Sequence, residues 1–251
     1  MTSLVLSRSL CRTLQCYTVK RCIPISGYTC KPLPVICNLC APATRSHSSE
    51  MKQRTYWQYL KRKVIKSPSP PYQHVCQVGD PVLRSKASPV DPVEICSPQV
   101  QKVIKTLVKV MRKLDCMGLS APQIGVPLQV IALEFTESML HENSLNAREI
   151  KGLVPFPLKI FVNPSVRILD SRTAAFVEGC ESVSGFSACV TRYHSVEISG
   201  LNERGEPVSW QTSGWPARII QHEMDHLIGV LYIDKMDSKT FANVSWMELN
   251  E

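Results

Sequence analysis

The sequence has no long apolar run, and its first 66 residues contain almost no negative charge. A membrane-spanning helix needs about 20 consecutive apolar residues, so we expect no membrane insertion. Residues 1–66 hold twelve Lys and Arg side chains and one acid, Glu50, whereas the remaining residues hold 17 basic and 20 acidic side chains. The excess positive charge, and with it the isoelectric point near 9.0, therefore belongs to the N-terminal segment.

This N-terminal segment is rich in Ser and Thr, and its first 49 residues contain no acid at all. Such a composition is typical of a mitochondrial transit peptide, and a nucleic-acid-binding arm is the alternative. We expect residues 1–66 to be a transit peptide and basic linker, disordered or removed, and residues 67–251 to be the folded domain. The boundary falls at Ser67-Pro68-Ser69-Pro70-Pro71, which cannot be helical.

Regularly spaced cysteines are also missing. Six of the eleven lie in the first forty residues, where Cys37 and Cys40 lack the histidines or second pair that would complete a zinc knuckle. A disulfide scaffold in that segment is the other alternative. The remaining five cysteines are scattered and odd in number, which indicates a reducing compartment.

Hydrophobic periodicity predicts two helices in the folded domain. Ser97-Pro98 has the form of an N-cap followed by a first-turn proline, and apolar residues then recur at helical spacing as far as Leu114. A second helix is predicted to begin near Ser213-Gly214 and to end at Gly229. Between and after them we predict a strand at 129–135, a surface loop with a short helical piece at 136–157, strand segments at 160–169 broken by Pro164, a hairpin around 202–206 and a last strand at 230–233.

The second helix carries Gln221-His222-Glu223-Met224-Asp225-His226-Leu227. Two histidines four positions apart on a helix differ by about 40° in direction and one turn in height, so both imidazoles can reach one metal ion. Glu223 would then lie beside the open face of the metal, where a carboxylate acts as a general base. The motif alone fits any metal hydrolase, a peptidase included, and a solvated helix face is the alternative.

A third ligand is expected upstream of the histidines. The downstream acids Glu248 and Glu251 lie in the last four residues, where chain ends fray. Cys180 follows Gly179 at a predicted strand edge, and a thiolate is a strong ligand for a borderline-soft divalent metal. A buried cysteine is otherwise only a small hydrophobic residue. The setting favours a metal site built from Cys180 and the two histidines over a peptidase site.

Three motifs occur in order: Gly118-Leu119-Ser120-Ala121-Pro122-Gln123, Glu178-Gly179-Cys180-Glu181-Ser182 and the histidine motif at 221–227. In this the sequence resembles the peptide deformylases, over about residues 75–237. The resemblance implies an α+β fold with a single domain, in which mixed or antiparallel sheets surround a central metal-binding helix. It implies hydrolysis of the formyl group from the N-terminal formyl-methionine of newly made proteins, and the basic tail places that reaction in the mitochondrial matrix.

The resemblance also assigns roles to residues. One divalent metal, usually Fe²⁺ with Co²⁺, Zn²⁺ or Ni²⁺ able to substitute, is held by Cys180, His222 and His226. Glu223 accepts a proton from the attacking water and passes it to the leaving amine. The side-chain amide of Gln123 and the backbone N–H of Glu181 donate to the formyl oxygen.

Further residues are expected to contact or support the substrate. Gly118, Leu119 and Gly179, with Glu181, supply backbone contacts that hold the peptide as an added strand. Trp215 lies seven and eleven residues before the histidines, and so on the same helix face, and should line the methionine pocket. Glu178 and Arg192 are expected to pair beneath the site, and an unrelated surface pair is the alternative.

Glu181 departs from the family pattern, which usually has Leu there. Its carboxylate brings negative charge close to the developing oxyanion, so we expect a slower enzyme than the bacterial type. Cys116 and Ser120 also depart from the pattern, but both are small, and the loop should keep its shape.

The expected partners are formyl-methionyl nascent polypeptides, with no direct nucleic-acid binding. Contact with the mitochondrial ribosome and a homodimer are family-level expectations. Two rival functions stay open, a metallopeptidase and a non-catalytic binder of formylated chains near the mitochondrial ribosome.

Overall fold

The computed structural model describes residues 55–57, 60 and 68–250. The fold is formed by residues 69–250, and residues 55–57, 60 and 68 belong to a separate unit. Most of the predicted transit peptide and linker lies outside the described residues, so that assignment stays a prediction. No helix among the described residues is both long and apolar enough to span a bilayer.

Residues 69–250 combine α-helices with one six-stranded sheet, which confirms the α+β class. The helices are α1 (Pro98–Lys113), α2 (Glu137–His141), α3 (Leu145–Lys151), α4 (Trp215–Leu227) and α5 (Val244–Asn250). The strands are β1 (Gly118–Ser120), β2 (Val130–Phe135), β3 (Phe156–Gly179), β4 (Phe186–Leu201), β5 (Pro207–Ser213) and β6 (Ala242–Asn243).

All strand pairs of the sheet are antiparallel, in the order β1-β2-β3-β4-β5, with β6 added to β4. The β3–β4 pair is the longest, and its register runs from Val162 opposite Leu201 to Gly179 opposite Ser187. β1 lies at the edge of the sheet. The sheet therefore brings the end of β3 and the edge strand β1 to the side on which α4 packs.

Helix α1 begins as its sequence predicts. The Ser97 hydroxyl accepts a hydrogen bond from the backbone N–H of Val100 at 3.4 Å, and Pro98 occupies the first turn, where no N–H is needed. The apolar stripe faces inward, and Leu107 and Met111 are fully buried in a core shared with β1 and β2. Burial of this stripe fixes the helix beneath the edge strand.

The prediction that Pro164 breaks the strand at 160–169 is wrong, because β3 is continuous over 24 residues. The ladder instead shifts register between Val162 and Ser165, a bulge that accommodates a residue without an N–H. Asn163 adopts a positive φ of 51° at this point. Its side-chain amide accepts from the N–H of Val90 at 2.8 Å and donates to the carbonyl of Val90 at 2.7 Å, which compensates the interrupted ladder.

The predicted strand at 230–233 is also wrong. Tyr232–Asp234 forms a single 3-10 turn, and Leu231 and Tyr232 are buried in a third core cluster. The apolar residues of this segment are thus used for burial in the core and not for pairing in the sheet. The loop predicted at 136–157 contains α2 and α3, so its helical content is larger than expected.

Helix α4 is the central helix of the fold. It begins after Gly214, whose φ is 66°, carries Pro216 in its first turn, and packs Ala217, Ile220 and Leu227 against β2, β3 and β4. After the helix, Gly229 turns the chain at a φ of 75° and passes close to the backbone of Arg84. This close approach fixes the end of α4 against the N-terminal part of the domain.

We predict that Gly229→Ala lowers the free energy of unfolding by about 3 kcal/mol, because it combines a strained backbone with a steric clash. A Cβ atom at this position would lie 2.6 Å from the carbonyl oxygen of Arg84. Gly152→Ala is the matched control, since Gly152 also has a positive φ, of 60°, but has no atom within 4 Å of such a Cβ. The control should cost only about 1 kcal/mol in urea unfolding. Equal losses would contradict the clash.

Candidate active site

Cys180, His222 and His226 come together at one point between β3 and α4. Their candidate ligand atoms all lie within 4.8 Å of one another, and the Cys180 Sγ is 3.3 Å from the His226 Nε2. Cys180 follows the last residue of β3, whereas the histidines lie one turn apart on α4. The site therefore depends on how the helix packs across the sheet and not on any local loop.

This donor set fits a divalent metal. Burial holds the pKa of His226 well below its usual value, so its imidazole is neutral, which is the form that binds metals. One thiolate with two imidazoles suits borderline-soft ions such as Fe²⁺, Co²⁺, Ni²⁺ and Zn²⁺. The His226 ring is almost completely buried, whereas Cys180 and His222 are partly exposed, so solvent reaches the cluster on the side of Cys180 and His222.

The carboxylate of Glu178 orients the His222 ring. Its Oε2 lies 3.1 Å from the His222 Nδ1, which leaves the His222 Nε2 for a metal. The predicted pairing with Arg192 is present, at 3.0 Å and 2.8 Å, and both side chains are buried, so it is not a surface pair. Burial alone would raise the pKa of Glu178, but hydrogen bonds from His222 and Arg192 outweigh it and hold the pKa far below its usual value.

Arg218, for which the sequence indicated no role, lies one turn before His222 on α4 and is 4% exposed. Its Nη1 donates to Glu178 Oε1 at 2.7 Å and to the carbonyl of Val190 at 2.8 Å. Asp225 was also missed, and it binds both Arg192 and Lys235. Both residues carry a charge, and helical periodicity assigns charged side chains to solvent, so no local signal indicated that they are buried.

Glu223 is buried beside the ligands. It is 3% exposed, and its Oε2 has no hydrogen-bond partner among the described residues. A Cβ atom added to Gly118 would lie 2.6 Å from Glu223 Oε1, so β1 passes directly over this carboxylate. Burial raises the pKa of Glu223 to about 7. A carboxyl group with this pKa can both accept and return a proton near neutral pH.

Gln123 lies at the other side of the candidate metal site. Its side-chain oxygen accepts from the backbone N–H of Ser120 at 2.9 Å and from the Ser120 hydroxyl at 3.0 Å. These bonds direct its amide nitrogen toward Cys180 Sγ, at 3.5 Å, and Ser182 Oγ, at 3.2 Å. The amide is thus a fixed donor next to the ligand sulfur. Glu181 begins a 3-10 turn directly after Cys180, and its carbonyl accepts from the Gln77 side chain at 2.8 Å.

The remaining predicted residues occupy two places. Gly118 and Leu119 lie in edge strand β1, and Gly179 ends β3 immediately before Cys180. Trp215 is buried, and its indole N–H lies 3.2 Å from the Met117 sulfur. It lines a cavity of about 700 Å³ whose walls do not include the three ligand residues or Glu223. Trp215 is thus separate from the candidate ligands, and Arg218 contacts both the Trp215 ring and Glu178, which binds His222.

Comparisons with known proteins cover the part of the chain that contains the three motifs. The family model of polypeptide deformylase matches residues 72–242. The human protein "Peptide deformylase, mitochondrial" is 57% identical over 199 residues, which cover 79% of this chain and 82% of that protein. "Peptide deformylase 3" of Streptomyces avermitilis is 37% identical over 175 residues, which cover 70% of this chain and 76% of that protein.

Solved structures agree with these sequence relatives. A peptide deformylase of Synechococcus elongatus in complex with actinonin has a TM-score of 0.56 and 30% identity, and covers 69% of this chain and 84% of its own. A Met-Ala-Ser-bound class I type b enzyme of Acinetobacter baumannii has a TM-score of 0.58 and 27% identity, and covers 64% of this chain and 96% of its own. The motifs, the fold and these matches together show that the chain belongs to the peptide deformylase family.

Proposed function

We propose that this chain hydrolyses the N-terminal formyl group of newly made mitochondrial polypeptides and releases formate and a free N-terminal methionine. The observation that carries the proposal is the convergence of Cys180, His222 and His226 beside a buried carboxylate, Glu223. Family membership makes the chain a metal-dependent hydrolase. Its amide substrate is the formyl-methionyl end of a nascent chain.

One divalent metal is proposed to be held by Cys180, His222 and His226. We propose Fe²⁺ as the native ion, with Co²⁺, Zn²⁺ or Ni²⁺ able to substitute, because the thiolate and imidazole donors suit all four. Such an ion supplies Lewis-acid chemistry at the carbonyl and makes water more acidic. The buried Glu178 keeps His222 in the tautomer that this role needs.

Glu223 is proposed to handle the proton. It takes a proton from the attacking water and returns it to the nitrogen of the leaving amine, so that one carboxyl group serves both halves of the hydrolysis. Its pKa of about 7, raised by burial, matches both steps. The position of β1 over this carboxylate would bring the end of a bound peptide close to it.

Two donors are proposed for the formyl oxygen as negative charge develops there. Gln123 has a fixed amide nitrogen 3.5 Å from Cys180 Sγ, and the backbone N–H of Glu181 follows Cys180 directly in the chain. Donors that are already oriented stabilise an oxyanion without reorganisation during the reaction.

The peptide is proposed to add as a strand to the edge of the sheet. β1 is an edge strand, which supports this mode of binding, and the backbones of Gly118, Leu119 and Gly179 are the proposed contacts of the extended peptide. The methionine side chain is proposed to enter the cavity lined by Trp215 and Phe176, whose aromatic rings suit a thioether.

The mitochondrial matrix is the proposed location, supported by the human relative and by the transit-like composition of residues 1–66. Contact with the mitochondrial ribosome, the absence of nucleic-acid binding and a homodimer stay predictions of the family resemblance.

The reaction is tested by following formate and new peptide ends together. Metal-loaded protein should release formate from a formyl-Met tripeptide, and Glu223→Gln should lower kcat/KM by about 10²- to 10⁴-fold at unchanged metal content. Glu94→Gln, which changes an exposed glutamate, is the control. An internally cut peptide would indicate a peptidase, and binding without formate would indicate a non-catalytic binder.

The metal site is tested by thermal unfolding, which does not depend on catalysis. Co²⁺ added to chelator-treated protein at 100 times its Kd should stabilise the fold by about 2.7 kcal/mol, seen as a rise in Tm. Cys180→Ala should lose this stabilisation, because it removes one of the three ligands. Cys96→Ala is the control, since Cys96 is exposed. A similar rise in Tm for Cys180→Ala would rule out this ligand.

The effect of Glu181 is tested by two substitutions. If its negative charge opposes the developing oxyanion, Glu181→Leu and Glu181→Gln should both raise kcat by about tenfold, since the two variants share only the loss of charge. The gain should shrink at high ionic strength. Unchanged turnover in both variants would contradict the idea, and a gain in Glu181→Leu alone would assign the effect to side-chain shape.

A further inference from the structure

Arg218 is a buried charge for which the proposed reaction has no use. It lies in α4 with His222 one turn after it and Trp215 three residues before it. A buried guanidinium is costly unless its donors are satisfied. Arg218 meets this cost with bonds to Glu178 Oε1 and to the carbonyls of Val190 and Ala174.

On one side, Arg218 takes part in holding Glu178. The carboxylate receives two bonds from Arg192 on β4, one from Arg218 and one from His222 on α4. Arg192 also donates to Asp225 Oδ2 and to the carbonyl of Gln221 on α4, so it links Glu178 to that helix only indirectly. The Arg218 bond fixes the same carboxylate relative to the helix that carries the histidines. The orientation of His222 therefore depends on a guanidinium one turn away on its own helix.

On its other side, Arg218 forms part of the cavity wall. The guanidinium carbon lies 5.2 Å from the centre of the Phe176 ring and 5.9 Å from that of Trp215, distances at which cation–π attraction acts. All three residues line the cavity of about 700 Å³. A substrate side chain that fills this cavity would therefore pack against the Arg218 guanidinium, which also binds Glu178.

We propose that Arg218 is a positioning residue that couples the Trp215 cavity to the metal ligand His222 through Glu178. The inference rests on the proposed function, because it takes the cavity as the methionine site and His222 as a metal ligand. It follows that one residue, Arg218, contributes both to recognition of the methionine side chain of the substrate and to retention of the metal. The coupling needs a guanidinium, since three acceptors in different directions exceed what one lysine nitrogen reaches from the same stem.

The test measures both sides of Arg218 in one set of variants. Arg218→Met keeps an apolar stem and removes the donors. We expect it to weaken Co²⁺ binding about 10- to 100-fold in chelator competition without substrate. We also expect the ratio of kcat/KM for formyl-Met over formyl-Ala tripeptides to fall about tenfold, mainly through KM. Should the methionine variant unfold, Arg218→Lys carries the test with the same expected directions.

Lys151→Met is the matched control, because the Lys151 ammonium lies 4.8 Å from the centre of the same Trp215 ring and the residue lines the same cavity. It should change the formyl-Met preference without weakening Co²⁺ binding. The coupling is refuted if Arg218 variants bind Co²⁺ as the wild type does, or if Lys151→Met weakens Co²⁺ equally. Failure of the proposed function is read separately, from wild-type protein that releases no formate.

Discussion

Glu178 places a negative charge in the protein interior at the end of β3, where water cannot stabilise it. Two guanidiniums and one imidazole surround this carboxylate, and they come from β4 and α4. Loss of one partner from such a buried group costs about 3–5 kcal/mol, so the cluster strongly disfavours any other packing of helix and strands. The ion cluster thus fixes the position of α4 relative to the end of β3.

This alignment is what creates the candidate metal site. Cys180 is placed by the sheet, because it follows β3 directly, whereas His222 and His226 are placed by the helix. Neither element alone holds three donors. Their atoms converge within 4.8 Å because Glu178, two residues before Cys180, is bound to the same turn of α4 that carries His222. The chain thus uses one buried carboxylate both to pack the domain and to orient the candidate ligand His222.

Several elements of the fold and the helical spacing of the two candidate ligands His222 and His226 could be predicted from the sequence, because local patterns determine them. The α1 stripe, its Ser97 cap and the spacing of His222 and His226 are all local features. The continuity of β3 through Pro164 could not be predicted, since the bulge depends on Asn163 reaching Val90, far away in sequence. The prediction of a strand at 230–233 was wrong because apolar content indicates that a segment is buried, not that it pairs with another strand.

Arg218 was missed for a different physical reason. Periodicity assigns a charged residue on a helix to solvent, but this one is stabilised by acceptors on β3 and β4 that no local pattern indicates. Its partner Glu178 pairs with Arg192 as predicted, but the direct bonds from Arg218 and His222 on α4 to the same carboxylate were not indicated by any local pattern. Long-range pairing of buried charges is therefore the part of the site that is hardest to predict from a single sequence.

The glycine at position 118, in the first motif, is explained by the close packing of β1 against Glu223. A side chain at Gly118 would collide with Glu223 Oε1 and with the Ile219 side chain, so only glycine lets β1 lie against α4. That close approach removes water from Glu223 and so contributes to the burial that raises its pKa to about 7. The edge strand proposed to bind the peptide is therefore also the element that adjusts the proposed base.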